Sequence, residues 1–478
     1  MMGSAVRFRL GAPLSIAAIQ AQPSSTVRSP TRLACGVTGI LLWAVALGCS
    51  WLVTGIAQDG SFILVETVRR GAFMPFDSDP RFFPTFVAEI PVVAALGLGV
   101  HDLHWLARLF SLGLFAIPVL SYSLALWRVR DDALLAPMVI AAIAMVFFSV
   151  SFFIQAEHNA AYALALLAAV WILTSDGLRG RDGIVLVVVA TLATRCYEAM
   201  VYLGPLLAVM TAWTIWRAGR RPVAAVALHL LAMALFLYGA WIAADSIVNY
   251  DRQYLGTVLS EAWRLRMLLP LVACVGSALV VVGAAAIWPQ LLLGRRLYGA
   301  GALLLGLLAL SPLLAAANVV MHPPYSYWQC AGRTAVGLVV VGTILFMWLG
   351  KAKPRWKPPL FSVMTTPPAS RRLLLFASAM LVVTLPWYAA MTYLFAAYLD
   401  LIQATIAARS GIIPYEETQL SRHPRLLQGD GWQLTPLSLV LRSAPTDGVI
   451  AGPVGWTGFQ PYPTGELPRL VDFNWSAR

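Results

Sequence analysis

Along its length the chain alternates long apolar runs with short polar breaks. Apolar runs of about 17 to 25 residues can cross a bilayer as helices, which satisfy their own backbone hydrogen bonds in hydrocarbon. Eleven such spans are predicted, with cores at residues 34–57, 106–127, 132–154, 159–175, 183–195, 199–216, 222–245, 267–288, 297–318, 332–350 and 373–397. The expected fold is an all-α polytopic membrane protein. Its divisions are an N-terminal segment (1–33), a transmembrane domain (34–397) and a C-terminal tail (398–478). Residues 183–216 start and end beside basic loops, so they must cross twice, turning at Arg195-Cys196-Tyr197-Glu198.

The first long polar break, residues 57–105, holds Asp59, Glu66, Asp77, Asp79, Glu89 and Asp102 together with three arginines and two histidines. Within it, 82–99 lies too close to the next span to be a full crossing. It reads as an amphipathic or re-entrant segment at the interface, where Pro84 and Pro91 are expected to prevent one continuous helix. Beyond residue 398 Gly, Pro and acidic residues return. Ser438-Leu439-Val440-Leu441 predicts a short strand there. About eighty residues barely support a core of their own, so the tail is expected to pack on the membrane domain as a cap.

Composition narrows this further. With 59% hydrophobic and 12% charged residues, the chain is not an ordinary soluble protein, whose charged fraction is about a quarter. The net charge of +12 reads as a topology signal, because Lys and Arg near span ends favour the cytoplasmic side. With the N-terminus inside, 19 of the 34 basic residues fall inside and 8 in short outside loops, while 18 of the 22 acidic residues fall outside or at outer span ends. An N-in, C-out chain with an extracytoplasmic working face is expected. The basic residues are scattered over separate loops, which argues against a nucleic-acid partner. Only Lys351, Lys353 and Lys357 among them are lysines, which points to a GC-rich bacterial genome and so to a bacterial inner (plasma) membrane with its lipids. Arg7, Arg9, Arg28 and Arg32 precede a first span too long for a signal-peptide core, so it is read as a signal anchor. Cys196 and Cys330 lie near the outer face and can pair, although no CxxC or zinc-type spacing occurs and buried thiols are the simpler reading.

A set of short motifs stands out between residues 34 and 216: Gln58-Asp59-Gly60, Val68-Arg69-Arg70-Gly71-Ala72-Phe73, Phe83-Pro84, Gly97 to Gly99, and Ala107-Arg108-Leu109-Phe110-Ser111. This order resembles the first outer loop of the GT-C superfamily of membrane glycosyltransferases, which use polyprenyl-phosphate-linked sugars and include the lipid A aminoarabinose and rhizobial galacturonic acid transferases. Glu157-His158, at the outer start of the fourth span, is similar to the family's second acidic position. Thr194-Arg195 with Gly204-Pro205 resembles a stretched Thr-Lys-Gly-Pro segment, with Cys196 to Leu203 intervening and Arg in place of Lys. The resemblance implies a GT-C-like fold and an inverting transfer. The sugar would pass from a polyprenyl-phosphate donor to an extracytoplasmic envelope glycan, lipid or protein.

Such a transfer needs a base for the acceptor hydroxyl, cations for the phosphate leaving group and a groove for the lipid. Asp59 is implied as the base; otherwise it is a solvated helix end. Glu157 with His158 is read as binding acceptor or donor, or a divalent cation if one is used. Asp77 and Asp79 bind acceptor or donor in one reading and form a turn salt-bridged to Arg81 in the other. Arg195, Arg333 and Arg264 are the candidate phosphate partners. Arg195 can equally be neutralised by Glu198 three residues on, Arg333 can belong to an aromatic interface belt, and Arg264 can meet lipid headgroups. Two other functions fit a chain of this class. A transporter or flippase for a lipid-linked sugar should show inverted repeats and charges at the bilayer midplane; a non-catalytic envelope-assembly protein needs no active loop.

Overall fold

The computed structural model describes residues 25–75, 79–149, 157–175, 177–220, 222–249, 269–319, 325–351, 358–422 and 431–453, with Gly256, Ser260, Tyr462, Gly465 and 467–471. For 25–29, 79, 269, 308–319, 325–332, 421, 422 and 471 only the backbone is described.

The chain is a mostly helical membrane protein. The first part comprises α1 (Ser25–Trp51), α2 (Asp59–Arg70), α3 (Phe82–Gly97), α4 (Leu103–Val129), α5 (Leu135–Ile143), α6 (Glu157–Thr174), α7 (Gly180–Thr194), α8 (Met200–Arg217) and α9 (Val223–Asn249). There follow α10 (Leu269–Ile287), α11 (Arg295–Val319), α12 (Tyr325–Lys351), α13 (Pro359–Met364) and α14 (Pro367–Ala407). Within the described residues, each predicted apolar run falls largely on helix. Among the described residues, seven helices are long and apolar enough to cross a membrane: α1, α4, α6, α9, α10, α12 and α14. The remaining runs fall on α5 with its π-helical continuation Ala144–Phe148, and on α7, α8 and α11. α6 is the central element, with 89% of its apolar window buried against its neighbours.

One end of the bundle is latched by polar contacts between helix termini. Arg32 at the start of α1 donates to Asp131 after α4 (2.6 Å), and Arg128 in α4 donates to Thr174 at the end of α6 (2.8 Å). Ser370 at the start of α14 donates to the Ala133 carbonyl (2.8 Å). These contacts put the start of α1 and the ends of α4 and α6 at one face. The start of α6, the α7–α8 turn and the end of α14 then lie at the other.

α14 spans 41 residues, about 60 Å at 1.5 Å per residue and roughly twice the hydrocarbon thickness. It therefore carries the chain well past residue 397, and the tail begins near Ala408. There β1 (Ile412–Pro414) pairs in parallel with β2 (Val449–Ala451), and between them runs α15 (Leu434–Leu441), all of it buried; a last short helix is α16 (Leu467–Val471). The strand predicted at Ser438 to Leu441 is thus helix. Pro436 falls in the first turn of α15, where a missing N–H costs nothing. The Ser438 and Thr435 hydroxyls accept the Ile450 and Gly452 amides (3.0 Å each), satisfying the buried edge of β2. α15 packs on α2, α4 and α14.

α3 also departs from expectation, being one continuous helix that contains both Pro84 and Pro91. Pro84 lies in the first turn and Pro91 removes a single ladder bond. Packing on α4 outweighs that loss: a Cβ at Gly113 of α4 would stand 2.6 Å from the Ala88 carbonyl oxygen, so glycine there lets the two backbones touch. The cysteines Cys35, Cys49, Cys196 and Cys274 are buried free thiols. Cys196 is thus a free thiol, and the Cys330 side chain lies outside the described residues.

Candidate functional site

Between α1 and α2 the chain turns through two strained residues, Val53 (φ 48°) and Gln58 (φ 56°, ψ −126°), both non-glycine in positive-φ conformations. The turn is held against α4. The Gly55 amide donates to Ser111 Oγ (3.0 Å), and the Ser50 hydroxyl donates to the Arg108 carbonyl (2.7 Å). Gly60 follows in such close contact that a Cβ would collide with the Gly55 carbonyl oxygen. Arg108 itself lies between two rings, 4.0 Å from Trp51 and 4.7 Å from Trp105. The Ala107-Arg108-Leu109-Phe110-Ser111 motif thus anchors the loop. The product of the turn is Asp59, half-buried in the first turn of α2.

Glu157 opens α6 and is 5% exposed. The charges of Arg81, Asp59 and Arg333 all bear on it, which brings the two implied acidic positions into one electrostatic neighbourhood. Glu157 Oε2 and both ring nitrogens of His158, which is fully buried, find no hydrogen-bond partner among the described residues. The His158 ring packs on Tyr162 (5.8 Å) and Tyr197 (5.5 Å). Tyr197 sits centrally, with the Arg81 guanidinium 5.5 Å and the Arg333 guanidinium 5.6 Å from its ring centroid. Tyr162 donates to the Arg333 carbonyl (2.7 Å), fixing the α12 backbone beside α6.

Arg81 is the residue sequence reasoning undervalued. It pairs with Glu198 in the α7–α8 turn at 2.6 Å, both side chains being largely buried. Burial pushes the Glu198 carboxyl up, but the Arg81 guanidinium, close in charge and hydrogen-bonded to it, more than offsets this and holds it below the usual carboxylate range. The pair spans 117 positions, so no local spacing signals it. Tyr197 was legible only as a neighbour of Arg195. Asp77 and Arg264 lie outside the described residues. Asp79 begins the 3₁₀ turn Asp79–Arg81, and its side chain is likewise undescribed. His101 and His104 flank a helix start at which Asp102 caps the His104 and Trp105 amides (2.8 and 3.1 Å).

Arg195 ends α7, and its carbonyl accepts the Phe83 amide (3.0 Å), tying α7 to α3. Its guanidinium lies 5.2 Å from the Phe82 ring and lines a cleft of about 390 Å³ with Phe73, Phe86 and Glu89. The aromatic wall is a stack, Phe73 on Phe86 (4.6 Å) and Phe82 on Phe86 (5.5 Å). Apolar walls with one cation suit an amphiphile bearing an anionic group. Among the described residues no three His, Cys, Asp or Glu side chains gather as metal ligands would.

Glu89 in this cleft accepts the Met74 amide (2.7 Å). Burial pushes its carboxyl up to about 7, against the lowering effects of the Met74 and Thr67 hydrogen bonds. A carboxyl raised on folding stabilises the fold in full below its unfolded value, and that contribution is lost as pH rises through about 7. Glu89→Gln keeps the acceptor and removes the titration. The melting temperature of the variant, relative to the parent, should therefore climb from about pH 5 to about pH 8; parallel pH profiles would contradict the assignment.

No family model, no curated protein and no solved structure matches the chain.

Proposed function

We propose that the chain is an inverting membrane glycosyltransferase of the GT-C type, with about eleven spans, its N-terminus cytoplasmic and its tail extracytoplasmic in a bacterial inner membrane. It takes a sugar from a polyprenyl-phosphate donor and places it on an envelope glycan, lipid or protein. The observation that carries this reading is the convergence of Asp59, Glu157, Arg81 and Arg333, from four separate elements, at one end of the bundle. A transporter would gather its charges at midplane.

In this reading the Asp59 carboxylate takes the proton of the acceptor hydroxyl as its oxygen attacks the anomeric carbon. The bond from that carbon to the phosphate oxygen breaks, and the electron pair leaves with the polyprenyl phosphate. Arg195 and Arg333 offset the charge that develops there. The aromatic cleft beside Arg195 takes the first part of the lipid. Glu157 and His158, with unmet hydrogen-bonding atoms, orient sugar hydroxyls. Mass spectrometry of lipid-linked sugars and envelope glycans, with and without the gene, tests this directly. Accumulated donor and a glycan short of one sugar are expected on deletion; identical profiles would rule the activity out.

A further inference from the structure

One face of α2 is held along its length by the tail. Phe62 and Glu66, four residues apart, share one face of α2, and Gln58 is the residue directly before the helix. The Gln58 amide donates to Gln433 Oε1 at 2.7 Å. The Phe62 ring meets Trp432 edge-on at 6.4 Å and Tyr462 at 5.7 Å. The Tyr462 hydroxyl donates to Glu66 Oε1 at 3.2 Å, while Arg69 holds the other oxygen of the same carboxylate at 2.7 Å. Gln433 is fully buried, and Trp432 and Tyr462 nearly so. The tail residues come from two separate places, one at the start of α15 and one beyond β2.

Gln58 is the strained residue directly before Asp59. A conformation of that kind is costly and persists only where surrounding structure imposes it. Here the Gln433 oxygen accepts the Gln58 backbone amide. We propose that the extracytoplasmic tail is a clamp on α2, and that Gln433 is a positioning residue which sets the direction of the Asp59 carboxylate through the Gln58 backbone. This rests on Asp59 being the base. The clamp explains why a membrane enzyme of this form carries a small, well-packed cap: it fixes a short helix that no span continues. Misplacing a catalytic group by about 1 Å can cost about a hundredfold in rate without weakening substrate binding.

The test uses the full chain in lipid nanodiscs. Gln433→Met keeps the side-chain volume and removes the amide oxygen. Gln433→Asn keeps the amide and draws its oxygen back by one methylene, and is the variant to read if the Met form does not insert. In either, hydrogen exchange at the Gln58 amide should rise about tenfold or more, with exchange in α14 unchanged. In the transfer assay kcat should fall about ten- to a hundredfold with KM unaltered. Unchanged exchange at Gln58 would overturn the clamp. Faster exchange with the parent kcat would overturn the positioning role, as would a rise in KM alone. If the parent chain transfers no sugar while the Gln58 amide still responds, the catalytic reading of Asp59 fails and the clamp stands.

Discussion

Asp59→Asn is expected to abolish sugar transfer while leaving insertion, expression and thermal stability intact. Loss of a general base lowers the rate about 10²- to 10⁴-fold. Stability should hold for a separate reason. The substitution removes a negative charge beside Glu157, relieving like-charge repulsion, and this offsets the few tenths of a kcal/mol that an acidic residue contributes near a helix N-terminus. The pairing of inactive with stable is what separates chemistry from scaffolding. Transfer of labelled sugar by purified protein, beside its melting curve, reads both. A variant with full activity would remove Asp59 as the base, and one that is inactive and unfolded would make it a structural residue. Glu157→Gln should give a smaller loss, because it keeps one hydrogen-bonding oxygen and sheds only the charge.

Arg81→Met should be the most destabilising single substitution at the site. It leaves Glu198 as a carboxylate buried without its bonded cation, and breaking such a pair costs about 3 to 5 kcal/mol. It also withdraws a cation from Glu157 and His158. Because the penalty comes from the stranded charge, adding Glu198→Leu should recover most of the stability. The additional loss of Arg81 from the cluster should still depress transfer. A double-mutant cycle of unfolding measurements decides this. Additive losses from the two substitutions would mean that the pair is not coupled.

How far the molecule could be read in advance depended on the range of the interactions involved. The apolar runs became helices because a helix closes its hydrogen bonds within the run, and run length sets whether it can cross. The proline reading of α3 failed because it weighed a local backbone loss without the packing of Ala88 against Gly113. Ser438 to Leu441 failed for a similar reason: an apolar run of that length suits strand or helix, and the neighbours decided. Within the candidate site, Asp59 and Glu157 were singled out by their places in a motif order that resembles the GT-C superfamily. Arg81 with Glu198 and Gln58 with Gln433 were not, being separated by 117 and 375 positions.

The sequence by itself determined a helical membrane protein with six of its 22 carboxylates in one loop and a small polar tail, since hydropathy and charge act residue by residue along a chain. Only the tertiary structure decided which of those charges meet. The long helices are rigid rods, and their packing brings α2, α6, the α7–α8 turn and α12 to a common end, where burial makes each charge depend on partners far away in the chain. It also decided that the tail meets the turn before Asp59, because the Gln58 amide donates to an amide oxygen that the chain supplies only after its last long helix.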